Sequence, residues 1–212
     1  MATKDPKDIR GMAPLKFHVT GGALKGLRLN LESNSQTRPT KALVKKSFFD
    51  SMQREVVGAA FIECFAGSGQ MGFEAYSRGA RKILFFENEK LAFENLSRNL
   101  STFNSRLEAC RRGDLVANFG DFFESRSVIE EFVARSSSVI FYLDPPFNKP
   151  DSTCDVYARL RAFLADLSPA LLSKAAIIAL ESMSKYEVYE SIGRFSLHKI
   201  SRFGRTSLVY FR

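Results

Sequence analysis

Residues 60–72 read AFIECFAGSGQMG, and they give the strongest indication of the fold. The apolar run Ala60–Phe65 predicts a buried strand, and a helical pattern follows it directly. Between them, Gly67, Gly69 and Gly72 form a G-x-G-x-x-G pattern at a strand-to-helix turn, where glycines let a ligand approach the backbone closely. Alone the pattern is weak evidence for any particular ligand, but it is typical of α/β folds that bind dinucleotides.

The same alternation of strand and helix continues along the chain. Short apolar runs predict further strands, and amphipathic segments predict helices between them. Near-continuous apolar strands alternating with helices indicate a parallel sheet covered on both faces. The predicted strands are Ala60–Phe65, Ile83–Phe86, Leu107–Cys110, Val139–Leu143 and Ala175–Leu180, and the predicted helices are Gln70–Ser77, Lys90–Phe103, Phe122–Arg135 and Asp155–Leu167.

The two ends of the chain differ from this pattern. At the carboxyl end, Arg194–Arg202 and Thr206–Arg212 alternate apolar and polar residues and predict an antiparallel hairpin. At the amino end, Phe17–Thr20 and Leu27–Leu31 predict a second short hairpin, and Thr37–Thr40 opens a helix. That helix has an apolar face of Leu43, Val44, Ser47, Phe48 and Met52, and an opposite basic face of Lys41, Lys45 and Lys46.

Composition limits the classes of protein that fit. The 212 residues are 45% hydrophobic, which is enough for one well-buried domain with an appendage. No run is long enough for a membrane span, and residues 1–14 lack the apolar core of a secretory signal, so we expect a cytoplasmic protein. Three scattered cysteines argue against a disulfide framework, and neither His18 nor His198 has neighbours suited to a metal.

The net charge of +8 is unevenly distributed. Residues 1–54 carry +7 and residues 194–212 carry +5, whereas residues 55–193 carry −4. Basic ends around a slightly acidic middle indicate a polyanion-binding surface wrapped around a catalytic body. General solubility is the alternative, but several basic residues lie inside patterned segments and favour nucleic acid: Lys25, Arg28, Arg38, Lys41, Lys45 and Lys46.

Loops that follow parallel strands emerge together at the carboxyl edge of the sheet, where open α/β folds bind ligands. The glycine loop is the first of them. Glu87 follows the second predicted strand, 20 residues after Gly67, and an acid there can accept both hydroxyls of a ribose. Gly113-Asp114 follows the third predicted strand, and Asp144-Pro145-Pro146-Phe147 follows the fourth.

The fourth loop favours one cofactor over another. A carboxylate, two residues without a backbone N–H and an aromatic ring suit a flat ring that bears an amine, whereas a dehydrogenase has no use for them. S-adenosylmethionine needs a glycine loop for its methionine end, an acid for its ribose and a polar residue for its adenine amine. Gly67–Gly69, Glu87 and Asp114 suit these needs in turn, although Asp114 is equally well explained as a turn residue.

Further segments extend the match beyond single motifs. Glu63–Gly69, Ser77-Arg78-Gly79-Ala80 and the Asp144–Phe147 tetrad, with Thr37-Arg38-Pro39-Thr40 upstream, resemble the bacterial 16S ribosomal RNA guanine-N2 methyltransferases of the RsmD family. The resemblance runs from about Phe17 to Arg212. It implies a Rossmann-like class I methyltransferase, with a doubly wound, mostly parallel seven-stranded sheet, an antiparallel C-terminal hairpin and a small N-terminal extension of hairpin and helix.

The resemblance also implies an activity: methyl transfer from S-adenosylmethionine to the N2 amine of a guanine in 16S ribosomal RNA, within a small-subunit assembly particle, with no metal and no obligate protein partner. We expect a disordered basic leader at 1–15, an RNA-facing hairpin and helix at 16–54, and the methyltransferase domain at 55–212. The expected catalytic residues are Asp144, Pro145 and Phe147; the cofactor-binding residues are Glu63, Ala66, Gly67, Ser68, Gly69, Glu87, Asn88 and Asp114; the RNA-binding residues are Lys25, Arg28, Arg38, Thr40, Lys41, Lys45 and Lys46.

In the expected mechanism the Asp144 carboxylate and the Pro145 carbonyl each accept one N–H of the amine, and the ring of Phe147 stacks on the base. Two residues depart from the family pattern, in which Asp and Tyr are usual. Phe147 retains the stacking face, and Glu63 either reaches the methionine ammonium or is a satisfied buried acid. Three alternatives stay open: an adenine-N6 DNA methyltransferase, an NAD(P)-dependent oxidoreductase and a non-catalytic RNA-binding assembly factor.

Overall fold

The computed structural model describes residues 15–31, 39–108, 114–146, 155–168, 171, 174–186 and 188–212, with the backbone alone at 39, 40 and 175. Its strands are β1 (Lys16–His18), β2 (Arg28–Asn30), β3 (Ala60–Glu63), β4 (Lys82–Glu87), β5 (Leu115–Phe119), β6 (Ser138–Leu143), β7 (Ala175–Met183), β8 (Ser191–Ile192), β9 (Phe195–Phe203) and β10 (Thr206–Phe211). Its helices are α1 (Pro39–Ser51), α2 (Gln53–Val56), α3 (Gln70–Ser77), α4 (Lys90–Asn104), α5 (Arg126–Val133) and α6 (Val156–Ala165). Within those ranges, no helix combines the length and apolar character that a bilayer crossing needs.

Eight strands form one sheet in the order β5-β4-β3-β6-β7-β10-β9-β8. The strands from β3 to β7 pair in parallel, whereas β10 runs antiparallel to both β7 and β9. This confirms the predicted doubly wound, mostly parallel sheet with an antiparallel C-terminal hairpin, and the two-residue β8 adds an eighth strand to the expected seven. The chain moves outward from β3 to β5 and then returns to β6, so the strand order reverses between β3 and β6. Open α/β sheets bind ligands at such a reversal.

Both faces of the sheet are covered, because successive side chains of a strand point to opposite sides. Phe61 and Phe85 pack in the core layer that includes residues of the hairpin, α1, α3 and α4. Ile62 and Phe86 pack in the other core layer, with residues of α5 and α6. Near-continuous apolar strands therefore have the buried parallel arrangement that their sequence predicts.

The third parallel strand lies later in the chain than predicted. Leu107 belongs to the turn that ends α4, through a hydrogen bond from its N–H to the carbonyl of Asn104, and the strand beside β4 is β5. The prediction of a strand at 107–110 is therefore wrong at its described residues. The cause is that β5 is an edge strand with only one buried side, so its apolar run is short and Asn118 interrupts it.

The N-terminal elements pack on the layer that holds α3 and α4. Strands β1 and β2 pair antiparallel, with Phe17 opposite Leu29, as predicted. Helix α1 buries Phe48 and Phe49 against the sheet. Leu43 was predicted to lie on the apolar face of α1, but it is 57% exposed. Phe49, which was not predicted to lie on that face, is buried in the core. Two adjacent buried phenylalanines rotate the apolar stripe away from Leu43.

Candidate functional site

The glycine loop joins β3 to α3 at the strand-order reversal. Gly67 and Gly69 have φ angles of 52° and 78°, in the left-handed region that favours glycine. A Cβ on Gly69 would lie 2.6 Å from the Phe73 ring, and a Cβ on Gly72 would lie 2.3 Å from the Phe85 ring. The loop therefore needs glycine for its turn and for close packing of α3 on the sheet.

Glu87 lies directly against this loop. It ends β4, the neighbour of β3 in the sheet, and its side chain is half-buried. One carboxylate oxygen accepts the N–H of Gly67 at 2.7 Å, and the other accepts the N–H of Glu89 at 2.8 Å. Each oxygen keeps a second lone pair, so the carboxylate is fixed in place and can still accept two hydroxyl groups. Asn88, the next residue, is exposed.

Glu63 is bonded inside the protein. Its two oxygens accept the backbone N–H groups of Met71 and Gly72 at 3.2 and 2.8 Å, in the first turn of α3. Burial raises the pKa of Glu63 to about 8, while the two backbone donors act in the opposite direction. Of the two roles expected for Glu63, this geometry favours the satisfied buried acid, which caps α3 and so holds the glycine loop.

Two asparagines that the sequence analysis missed connect the loop to the hairpin. The Asn99 side-chain amide donates to the carbonyls of Ser68 and Asn30 at 3.0 and 2.8 Å, and its oxygen accepts the N–H of Asn30 at 2.8 Å. Asn95 donates to the carbonyl of Asn30 at 3.2 Å. These two asparagines could have been found from their helical spacing on an otherwise apolar face of α4.

Ala66, in the glycine loop, is buried, and its N–H donates to the carbonyl of Phe86 at 2.8 Å.

Asp114 is at the opposite edge of the sheet from the place that the sequence predicted. It precedes β5, whose first residue pairs with Ile83 near the start of β4, and it accepts a hydrogen bond from the Tyr76 hydroxyl at 2.9 Å. The expectation that Asp114 follows a strand and meets adenine is therefore corrected. The carboxyl end of β5 presents Gly120-Asp121, and the Gly120 N–H donates to the carbonyl of Glu87 at 3.0 Å.

Asp144 and Pro145 follow β6 at the carboxyl edge of the sheet, the edge that holds the glycine loop. Strand β6 lies between β3 and β7, and Tyr142 pairs with Glu63, so the loop after β6 starts beside the glycine loop. The Asp144 side chain is 24% exposed, Pro145 is buried and Pro146 is exposed. Phe147 lies outside the described residues, so its predicted stacking role stays a prediction.

Lys41 of α1 forms an ion pair with Asp144, with 2.8 Å between its ammonium and Oδ2. Its side chain is 59% exposed. Burial lowers the pKa of Lys41, but the charge of Asp144, the hydrogen bond to it and the charges of Glu181 and Glu63 together raise it above the ordinary value. Lys41 was predicted to bind RNA, and that role stays a prediction; in the structure it reaches the Asp144 carboxylate, because Phe48 of α1 packs against Tyr142 near the end of β6.

The other predicted RNA-binding residues are divided. Lys45 is 13% exposed, and its ammonium lies 3.6 Å from the buried carboxylate of Glu74, so its expected outward orientation is wrong. Burial lowers the pKa of Lys45. Lys46 is exposed and pairs with Asp50. Lys25 and Arg28 are exposed on the hairpin, whereas Arg38 and the side chain of Thr40 lie outside the described residues.

A second buried acid, Glu181 of β7, lies near the clamp formed by Asp144 and Pro145. It accepts a hydrogen bond from the Tyr142 hydroxyl and is 5% exposed. Burial and the nearby charge of Asp144 raise its pKa. Glu181 was not among the predicted site residues; its signal was a single acid in the apolar run of β7.

A cavity of about 300 Å³ opens at the same edge, between α6 and the carboxyl half of β7. Its wall includes Tyr157 and Tyr186, whose ring centroids are 5.0 Å apart. Leu180 and Ser182 of β7 also line it, and Leu180 is the sheet partner of Leu143, the residue before Asp144. An aromatic cavity therefore lies one strand away from the clamp.

The donors and acceptors fit S-adenosylmethionine. If S-adenosylmethionine binds, the glycine loop would hold its methionine end, and the fixed Glu87 carboxylate, with a second lone pair on each oxygen, would accept its ribose hydroxyls. Gly120-Asp121 lies beside Glu87, and the Asp121 carboxylate accepts the N–H of Phe123 at 2.9 Å and pairs with Arg159 at 3.3 Å.

Comparison with known proteins gives consistent relatives. The family model described as Conserved hypothetical protein 95 matches residues 17–212. YlbH of Bacillus subtilis is 26% identical over 197 residues, which are 92% of this chain and 98% of YlbH. Ribosomal RNA small subunit methyltransferase D of Haemophilus influenzae is 31% identical over 136 residues, which are 63% of this chain and 65% of that protein.

Solved structures share the fold. The Escherichia coli protein YhhF superposes with a TM-score of 0.70 at 21% identity, covering 92% of this chain and 97% of YhhF. The RNA methyltransferase from Salinibacter ruber, solved in complex with S-adenosyl-L-homocysteine, gives a TM-score of 0.52 at 12% identity, covering 83% of this chain and 92% of that one. These likenesses show a class I methyltransferase fold. The family model spans nearly the whole chain, so the protein belongs to the family of RsmD-like methyltransferases.

Proposed function

We propose that this protein transfers a methyl group from S-adenosylmethionine to the exocyclic N2 amine of a guanine in small-subunit (16S) ribosomal RNA. The observation that carries the proposal is the position of Asp144-Pro145 beside the glycine loop, at the point where the strand order reverses. The name of the Haemophilus influenzae relative supports the RNA substrate. We further propose 16–54 as the RNA-facing part and 55–212 as the transferase domain.

The cofactor proposal rests on groups that are already fixed. Glu87 is held by two backbone N–H groups, so it meets a ribose without reorganising. The glycine loop, with Ala66 and Ser68 in it, is held by Glu63 through α3 and by Asn99 through Ser68. We assign to Gly120-Asp121 the adenine contact that was expected of Asp114. When bound, S-adenosylmethionine supplies an electrophilic methyl group on a sulfonium centre.

The clamp prepares a poor nucleophile. The lone pair of a guanine amine is delocalised into the ring, and accepting both N–H groups localises it on nitrogen. The Asp144 carboxylate accepts one N–H and the Pro145 carbonyl accepts the other, on a loop that two prolines stiffen. As the methyl group arrives, positive charge develops on the amine; anionic Asp144 stabilises it and takes the proton.

Lys41 gives the clamp a fixed orientation. Its ammonium bonds Asp144 Oδ2, which leaves Oδ1 with both lone pairs for the amine. Helix α1 itself is anchored by Lys45, whose ammonium pairs with Glu74 of α3. The N-terminal helix therefore contributes to the geometry of the clamp as well as to the surface around it.

RNA binding is assigned to the basic groups that remain exposed. Lys25, Arg28 and Lys46 are available to phosphates, and we keep Arg38 and Thr40 as proposals from the sequence alone. The target guanine must leave its stack to reach Asp144, and a loop base in structured RNA does so at lower cost. An assembling small-subunit particle displays such bases, and we propose it as the physiological substrate.

The decisive experiment maps the methylated base. Small subunits from cells that lack the modification are incubated with the protein and labelled S-adenosylmethionine, in parallel with naked 16S ribosomal RNA and duplex DNA. We expect label on N2 of a guanine in the particle. Labelled adenine N6 in DNA would instead support the related DNA enzyme. Reduction of a nicotinamide cofactor, or RNA binding without any label, would support the other two alternatives.

A further inference from the structure

A second cavity, of about 500 Å³, lies at the other edge of the sheet. It is formed where β6, β7 and β9 begin and where β10 ends, with α2 on one side. Four cationic side chains and one carboxylate line it: Arg54, Lys174, Arg194, Arg212 and Glu55. Its floor is apolar and includes Ile140, Ile177 and Phe195.

The cations are held by the fold. The Lys174 ammonium donates to the carbonyls of Ala134 and Ser136 at 3.2 and 2.7 Å, after the end of α5. Arg212 pairs with Glu55 at 2.8 Å, and its backbone exchanges hydrogen bonds with Ser196. The hydrogen bond from Arg212 lowers the pKa of Glu55, so this acid is ionised and offsets one of the four positive charges.

The other two cations of the cavity, Arg54 and Arg194, differ from Lys174 and Arg212 in how they are held. Both are exposed, and within the described part of the chain neither has an ion pair or a hydrogen-bonded acid. A net charge of about +3 therefore surrounds a concave surface, with two guanidinium groups free to bind. Guanidinium groups bind phosphate oxygens in pairs of parallel hydrogen bonds, which makes phosphate the ligand that this arrangement fits.

The cavity is separate from the clamp. Ser138, in its wall, begins β6, and Asp144 follows the end of the same strand. Six residues of strand span about 20 Å. A phosphate of the target nucleotide cannot reach both places, whereas a folded RNA that wraps the edge of the sheet can.

We propose that this cavity binds backbone phosphates of an RNA segment distant from the target guanine. This inference rests on the RNA substrate proposed above, but its readout is binding rather than methyl transfer. A free nucleotide or inorganic phosphate offers the same chemistry, so the experiment separates these sources.

The test uses the double variant Arg54→Glu/Arg194→Glu in the full chain. Its matched control is Arg98→Glu/Arg106→Glu, which changes the net charge equally at exposed positions on and just after α4. The affinity for 16S ribosomal RNA is measured by filter binding over a series of salt concentrations. We expect the slope of log K against log salt to become shallower by about 1.4 to 1.8 in the test variant, the value for two lost phosphate contacts. The control keeps the wild-type slope.

Further measurements make the result decisive. The rate at saturating RNA and the affinity for S-adenosylmethionine stay at wild-type values in the test variant. Equal slopes for the test and control variants would overturn the proposal. Calorimetry with inorganic phosphate and adenosine monophosphate covers the other source: tight binding of either, with an unchanged RNA slope, would overturn the RNA assignment.

Two outcomes separate this inference from the proposed function. Slope loss in a protein that methylates no RNA would keep the cavity proposal and reject the methyl transfer. If the charge-reversed variant does not fold, Arg54→Ala/Arg194→Ala serves in its place, with Arg98→Ala/Arg106→Ala as its control and the same expected change in slope.

Discussion

The two edges of the central sheet differ in charge and in burial. The carboxyl edge holds three acids that are each fixed in a different way: backbone N–H groups hold Glu87, the Lys41 ammonium holds Asp144, and Glu181 is buried. The amino edge holds exposed guanidinium groups, Arg54 and Arg194, around an open cavity. Under the two proposals made above, the edges would have different tasks: Asp144 would act on the reacting amine among fixed acids, and the exposed cations would attract a polyanion from solution.

The largest expected effect is at the carboxyl edge. Asp144→Ala removes the acceptor that localises the amine lone pair and stabilises the positive charge, so the single-turnover rate should fall by about 10³-fold or more. The affinity for S-adenosylmethionine, measured by calorimetry, should stay nearly intact, because the groups proposed to bind the cofactor, Glu87 and the glycine loop, are held by hydrogen bonds that do not involve Asp144. Asp144→Asn, which keeps the shape, is the control. Equal losses of rate and cofactor affinity would contradict this division of labour.

The next effect concerns the cofactor. Glu87→Ala removes an anionic acceptor for the ribose and frees the N–H of Gly67, so we expect the dissociation constant for S-adenosylmethionine to rise about 10- to 100-fold. Equilibrium dialysis measures it. Glu94→Ala removes an exposed acid of α4 and should leave the constant unchanged. If Glu87→Ala lowered RNA affinity alone, the ribose role would be rejected.

The acids at the two edges should respond to pH in opposite ways. Burial and the charge of Asp144 raise the pKa of Glu181, so the folded protein holds a proton that the unfolded chain releases above the ordinary carboxyl pKa of 4.5. Its contribution to the free energy of unfolding is present at low pH and is lost as pH rises toward the raised pKa. The slope is at most about 1.4 kcal/mol per pH unit for one proton. Glu181→Gln should remove it.

Urea unfolding at pH 5.5, 6.5 and 7.5 tests this prediction. Glu55, at the amino edge, is the control, because Arg212 lowers its pKa and its contribution is lost only below pH 4.5. Glu55→Gln should therefore leave the slope in this range unchanged. Equal slopes in wild type and Glu181→Gln would show that Glu181 is ionised in the folded protein. Glu63, with a pKa of about 8, also holds a proton in the folded protein, so its contribution to the free energy of unfolding likewise decreases as pH rises.

The smallest effect separates two neighbouring lysines of α1. Lys45→Met leaves the buried Glu74 without one of its cations, although Thr20 and Arg78 still donate to it. We expect a loss of about 1–3 kcal/mol in the free energy of unfolding. Lys46→Met, at an exposed pair, should change it by less than about 0.5 kcal/mol. Chemical denaturation measures both, and equal effects would show that Lys45 does not anchor α1.

Much of the site could be predicted from local sequence. The glycine loop, Glu87 and Asp144-Pro145 each follow a strongly apolar strand directly, so the strand fixes the position of the residues after it. Asp114 was misplaced because β5 is a half-buried edge strand with a weak pattern. An error in one strand moved the predicted adenine contact to the opposite edge of the sheet, where Tyr76 binds Asp114.

The lysines of α1 show a different limit. Helical spacing puts Lys41, Lys45 and Lys46 on a polar face, and it gives no information about what that face meets. In the fold, Lys41 meets Asp144, Lys45 meets Glu74 and Lys46 remains on the surface. Contacts between residues far apart in sequence depend on how α1 packs, which the periodicity of the helix does not contain.

Local sequence was enough to identify the class of fold, the family, the edge of the sheet that holds the candidate site and three of the loops that form that site. It could do so because hydrophobic periodicity and glycine chemistry act over a few residues at a time. Only the tertiary structure decided that Lys41 pairs with Asp144, that Glu181 is buried near the clamp and that Arg54 and Arg194 share a cavity at the other edge. Those arrangements join residues brought together by sheet order and helix packing, and no local pattern encodes them.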